Sequence, residues 1–243
     1  MSVQGTIVTL GGGGFSMPEV HGRASSPIDD HLLEMTGRRL PKICFIGTAS
    51  GDAEEYHDKF VDAFKGRADL RILSLFNKAP EEYALPIPEL ERLLDHDIVY
   101  VGGGSTANLL AVWRLHGLPS VLAEAAAGGT ILAGISAGSN CWFEGSSTDS
   151  FGPNAPLRDG LGLLPGSFCP HYLGEADRRD AFRDYVATGT LPEGYAADDG
   201  VAIVWRDGKP AEVVAERSKP VSFHVTRKGD TVVETPLEAR LLV

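Results

Sequence analysis

Short apolar runs of β-forming residues recur along this chain with helix-compatible stretches between them, and that alternation limits the fold more than any other feature. "TIVTL" (6–10), "KICFIGTA" (42–49), "DLRILSLF" (69–76), "DIVYVGG" (97–103) and "TILAG" (130–134) read as strands. Between them, 54–66 places Tyr56, Phe60, Val61 and Phe64 on one helical face. The segments 86–97, 105–118 and 118–129 read as further helices, the second capped by Ser105 or Thr106 and the third ended by glycine. Strands that are apolar throughout are buried on both faces. The pattern therefore predicts an α/β fold with a mostly parallel sheet and helices on both sides. After about residue 195 strands are separated by the turn pairs Asp207-Gly208 and Gly229-Asp230, which predicts an antiparallel C-terminal hairpin extension edging that sheet. The turn-rich stretch 144–162 reads as a long loop lining a cleft. One α/β domain over residues 1–243 accommodates all of this.

Composition excludes several function classes. No apolar run approaches the roughly 18 residues that would span a bilayer. The first residues lack the basic and apolar regions of a signal peptide. A formal charge of −11 without a basic stripe argues against a nucleic-acid surface. Cys44, Cys141 and Cys169 have no metal-ligand spacing and cannot all pair, so a reducing cytoplasm is the expected compartment, with no metal or cofactor. No interface signature fixes an oligomeric state.

Chemistry concentrates in "TILAGISAGSNCWFEG" (130–145), where Gly134-Ile135-Ser136-Ala137-Gly138 fits G-x-S-x-G with a strand before it and a helix-compatible segment after it. In that turn a side chain at either flanking position would clash, and the serine is pushed into the open. The following helix aims its first N–H groups at the place where an oxyanion would form. A serine hydroxyl needs a base, and the base an orienting acid. Only His171 and His224 follow Ser136. His224 lies in an alternating strand and reads as structural. His171 follows an apolar run at a strand end, where functional groups of open α/β sheets gather. Asp198 and Asp199 in "YAADDGVAIVW" are the acid candidates. "VGGGST" (101–106) lets backbone amides approach a ligand closely, so Gly103 or Gly104 can join Ala137 as oxyanion donors. The run Gly11–Gly14 is assigned to a loop near the cleft with no chemical role.

At "VYVGGGSTANLLAVWRLHGL", "ILAGISAGSNCWF", "LPGSFCPHYLGEADRR" and "AADDGVAIVWRDG" the chain resembles the serine peptidases of the peptidase E (aspartyl dipeptidase) type, which are related to cyanophycinases. The four motifs stand in the family's order over about residues 98–208. The resemblance implies a fold like the class I glutamine amidotransferases, with Ser136 as nucleophile, His171 as general base and Asp199 as the acid, Asp198 being the fallback. Gly103 or Gly104 and Ala137 would donate to the oxyanion. The sequence departs from the common family pattern in Ser105 for asparagine, in an aspartate for the glutamate, and in Ser139 for alanine. These departures leave the preference for N-terminal aspartate open.

The expected activity is that of a cytoplasmic serine exopeptidase or dipeptidase acting on short peptides through an acyl-enzyme. The alternatives are an α/β-hydrolase-type esterase with the order Ser136, Asp199, His224, and a family member that binds peptides without turnover. An exopeptidase must pair a free α-ammonium, for which Glu175, Asp149 and Asp159 are candidates. A substrate carboxylate would call on Arg178 or Arg179. For each of these five a solvated surface role is the competing reading.

Overall fold

The computed structural model describes residues 4–23, 25–229 and 231–242. In chain order it begins with β1 (Thr6–Leu10), α1 (Pro18–His21), α2 (Pro27–Met35), β2 (Lys42–Ile46), α3 (Glu54–Phe64) and β3 (Asp69–Leu73). There follow β4 (Ile98–Val101), α4 (Thr106–His116), α5 (Leu118–Ala127), β5 (Ile131–Ile135) and the four-residue α6 (Ala137–Asn140). The second half holds β6 (Phe143–Thr148), β7 (Ala155–Leu157), β8 (Leu164–Cys169), α7 (Arg178–Ala187), β9 (Gly194–Ala197) and β10 (Val201–Arg206). Last come β11 (Lys209–Ala215), β12 (Ser222–Lys228), β13 (Thr231–Pro236) and β14 (Arg240–Leu241).

These strands form two mixed sheets where the alternation predicts one. The eight-stranded sheet runs β14-β11-β10-β1-β5-β4-β2-β3, and its five strands from β1 to β3 are mutually parallel. The six-stranded sheet runs β13-β12-β9-β8-β6-β7. The antiparallel C-terminal texture is therefore divided. β10 and β11 extend the first sheet beyond β1, whereas β12 pairs with β9 in the second and β13 pairs with β12 at its edge. Of the two predicted turn pairs, Asp207-Gly208 joins β10 to β11, and Asp230 lies outside the described residues. The stretch 144–162 is not one loop, because β6 and β7 pair within it. Their polar inward side chains concealed them: Ser146, Ser147 and Thr148 are all buried.

Local choices follow the residues closely. Ser105 caps α4 by accepting the Asn108 N–H at 3.3 Å, and Gly117 ends it at φ 71°. The segment 86–97 is a kinked 3₁₀ helix (Ile87–Asp95), broken at Glu89, in place of an α-helix. Glu89, at φ −112° and ψ 41°, breaks the run before α-helical hydrogen bonds can pass through it. Phe60 and Phe64 of α3 are buried and meet Phe15 at 5.8 and 5.7 Å, while Phe45 and Tyr100 contribute from β2 and β4. Each buried ring contributes on the order of 2–3 kcal/mol, enough to fix α3 on the face of the first sheet. The core thus sits under the C-terminal ends of β1, β5 and β4, which carry the site.

Candidate active site

Three strand ends converge here. Ser136 follows β5 in the first sheet, whereas His171 and Asp199 follow the neighbouring parallel strands β8 and β9 of the second. His171 Nε2 lies 2.9 Å from Ser136 Oγ, and its Nδ1 lies 2.6 Å from Asp199 Oδ1. The imidazole and the carboxylate are 13% and 16% exposed, so this pair is shielded enough from solvent to strengthen its attraction. With Nδ1–H donated to Asp199, the Nε2 lone pair is left for the serine hydroxyl.

The elbow needs both its glycines. A Cβ at Gly134 would collide with the Gly138 carbonyl, and one at Gly138 with the Val101 carbonyl of β4. Ser136 adopts φ 53°, a conformation that side chains rarely take and that costs on the order of 1–3 kcal/mol. The Leu10 carbonyl holds it there by accepting Ser136 N–H at 3.1 Å and the Ser139 hydroxyl at 2.8 Å. Ser139, the residue that departs from the family's usual alanine, thus ties α6 to β1. His171 also sits at positive φ (50°), with its N–H donated to the Gly11 carbonyl at 3.3 Å.

The glycine run after β1 has a role that the sequence reading did not assign. Gly12 bridges Asp199, and its carbonyl accepts Gly200 N–H at 2.9 Å. A Cβ on Gly12 would strike Asp199 Oδ1 and lie 2.8 Å from His171 Cε1. Four consecutive glycines next to a strand end were the available signal. Only the fold shows what they pack against.

Asp198 points elsewhere than Asp199. Its Oδ1 accepts Leu173 N–H at 3.1 Å and Gly174 N–H at 2.8 Å, so it shapes the turn after His171. His224 stacks on Tyr195 at 4.5 Å within the second sheet and is not part of the Ser136 relay. Burial drives the Cys141 thiol well above its ordinary range, which leaves it protonated and inert.

The remaining candidates are already paired. The almost fully buried Arg178 (3% exposed) donates to Glu175 at 2.6 Å and to the Ser147 carbonyl at 3.3 Å, with Asp149 at 3.6 Å. Glu175 itself lies within one turn of His171, whose carbonyl accepts its N–H at 3.1 Å. Arg179 makes a two-point contact with Glu234 of β13 at 2.9 and 2.7 Å, and Asp159 pairs with Arg114 at 2.7 Å. Of the two glycines considered as donors, Gly103 gives its N–H to the Tyr56 hydroxyl at 3.1 Å. Gly104 N–H has no partner among the described residues, and Ala137 N–H opens α6, where no intrahelical acceptor exists.

The model of peptidase family S51 matches residues 7–213. The chain belongs to this serine peptidase family. Among its relatives, the uncharacterized peptidase YgaJ of Bacillus subtilis is 40% identical over 238 residues, covering 97% of this chain and 98% of that one. Peptidase E of Streptomyces coelicolor is 31% identical over 177 residues, 67% of this chain and 69% of its own. A peptidase from an acI-B1 actinobacterium superposes with a TM-score of 0.66 at 19% identity, covering 98% of this chain and 95% of its own. A putative peptidase E from Listeria monocytogenes gives 0.58 at 17% identity, with 96% and 99% covered. Both structures share the α/β fold with two mixed sheets. No described helix of the S51 chain is long and apolar enough to cross a membrane.

Proposed function

We propose that the protein is a serine exopeptidase that releases residues from short peptides with a free N-terminus, and that Ser136, His171 and Asp199 carry the reaction. The observation behind this reading is the continuous relay from Asp199 through His171 to the strained Ser136 hydroxyl. Ser136 Oγ attacks the scissile carbonyl as its proton passes to His171 Nε2, and Asp199 stabilises the imidazolium. Gly104 and Ala137 N–H groups, which no other described residue takes up, receive the oxyanion. As the tetrahedral adduct collapses, the C–N bond breaks and His171 returns the proton to the leaving amine. Water then repeats the sequence on the acyl-enzyme and releases the acid.

Glu175 and Asp149, beside the buried Arg178, are the acids offered to a substrate ammonium, and the resemblance to aspartyl dipeptidases favours an acidic first residue. The buried, unpaired thiols suit a reducing compartment such as the cytoplasm. The test is a dipeptide library hydrolysed by wild type, Ser136→Ala and Cys141→Ala. Ser136→Ala should fold normally and lose turnover by about 10⁶-fold, as in other triad enzymes, while Cys141→Ala keeps it. Acetylating the N-terminus of the best substrate should abolish its cleavage. Equal rates on the free and acetylated forms would overturn the exopeptidase reading.

A further inference from the structure

The triple-glycine turn after β4 is held from both sides by side chains and backbone outside the Ser-His-Asp relay. On one side the Tyr56 ring of α3 lies against it: a Cβ on Gly102 would come within 2.8 Å of Tyr56 Cε1 and 2.9 Å of Phe45 Cζ. The Tyr56 hydroxyl then accepts Gly103 N–H at 3.1 Å. On the other side the Ala49 carbonyl accepts Ser105 N–H at 2.8 Å and abuts Gly104, which sits at φ 134°. Gly102 N–H is spent on the Ile46 carbonyl at 3.0 Å. Three of the four amides from Gly102 to Ser105 are thus committed. Gly104, which is exposed, keeps the one without a partner among the described residues, and the Cβ position of Gly103 lies 3.5 Å from Ser136 Cβ.

Tyr56 is itself well fixed. Its ring meets Phe15 at 5.6 Å and Phe45 at 5.1 Å, and burial pushes its phenol upward, so it stays protonated. A neutral hydroxyl accepts the Gly103 amide without bringing a charge near the forming oxyanion.

We infer that Tyr56 is a positioning residue for hydrolysis: by taking Gly103 N–H it fixes the Gly102–Gly103 peptide plane, from which the next peptide carries Gly104 N–H to the oxyanion. It touches neither the substrate nor the reacting atoms, and its effect is confined to the transition state. The inference rests on the serine-peptidase reading above and goes beyond it in naming the single glycine donor and the side chain that aims it.

Tyr56→Phe keeps the ring and removes only the acceptor. kcat should fall about tenfold, less than the 10²–10³-fold that follows outright loss of an oxyanion donor, with KM unchanged. Affinity for a peptide aldehyde, whose hemiacetal with Ser136 places an oxygen where the oxyanion forms, should fall by the same factor. Wild-type kcat, a change in KM alone, or unchanged aldehyde affinity would each overturn the inference. Amide exchange of the wild type, read on ¹⁵N-glycine, adds a measurement that needs no variant. Gly103 N–H should exchange slowly and Gly104 N–H fast, and the reverse order would refute the assignment. Ser136→Ala separates the two levels. If that variant retains turnover the peptidase mechanism itself fails, whereas an inactive Ser136→Ala beside a fully active Tyr56→Phe removes only the role of Tyr56.

Discussion

Two adjacent aspartates in this chain turn their carboxylates in different directions, and the proposed mechanism depends on that difference. Asp199 leaves β9 facing His171, while Asp198, 6% exposed, turns back to two amides of the turn 171–174. Asp199→Asn should therefore keep the fold and lose kcat by about 10⁴-fold, the scale seen when a triad aspartate is neutralised, because the amide no longer imposes the right imidazole tautomer. Asp198→Asn keeps one acceptor but gives up the charge, so it should lower the thermal midpoint more than it lowers kcat. Steady-state rates and melting curves on the two variants check the assignment, and the opposite ranking would transfer the triad role to Asp198. The identity of the pair was legible in the sequence. Its register was not, since an Asp-Asp dipeptide at a strand end presents both carboxylates to the same turn, and the choice depends on amides from residues 173 and 174.

Among the elements, those with apolar strands or a regular helical face were legible, because one periodicity decided them. β1, β2, β4, β5, α3 and α4 fall where the pattern places them. The second sheet was legible only in part: β8 and β12 read as strands, but β6 did not. β6 is lined by buried serine and threonine, two of which are paired internally: Ser147 reaches Asn154 at 2.8 Å, and Thr148 reaches Thr106 and Ser150. Hydropathy reads such a strand as loop. β9, only four residues long and carrying two alanines and a glycine, gave no periodic signal. His224 belongs to this sheet, stacked at 16° on Tyr195, which in turn meets Trp205 edge-on. His224→Ala should cost about 1 kcal/mol of stability through the lost aromatic contact and leave kcat/KM unchanged. A comparable loss of turnover would instead support the order Ser136, Asp199, His224.

For the molecule as a whole, a buried acid under the site couples protonation to stability. Asp29 of α2 accepts the Tyr100 hydroxyl at 2.8 Å, with Glu216 and Arg67 as charged neighbours, and burial pushes its carboxyl up to about 7. The native state therefore holds a proton there that the unfolded chain, titrating near the usual carboxylate value of about 4, has released. This contribution is complete below pH 4 and is lost as the pH rises through 7. Asp29→Asn should accordingly gain in thermal midpoint over wild type between pH 5 and pH 8. A difference between the two that does not vary with pH would argue against a protonated Asp29. Glu216 links that layer to the cleft, since it also accepts Gly14 N–H at 2.9 Å beside the glycines that pack on His171 and Asp199.

The position of β1 has a further consequence for a chain made from one end to the other. It is synthesised before every other described strand of its sheet, yet its two neighbours there are β5 and β10, the latter pairing Thr6 with Arg206. Ser136 likewise emerges on the ribosome about sixty residues before Asp199. On the proposed mechanism a nascent polypeptide carries its nucleophile unarmed until β9 and β10 have arrived and docked.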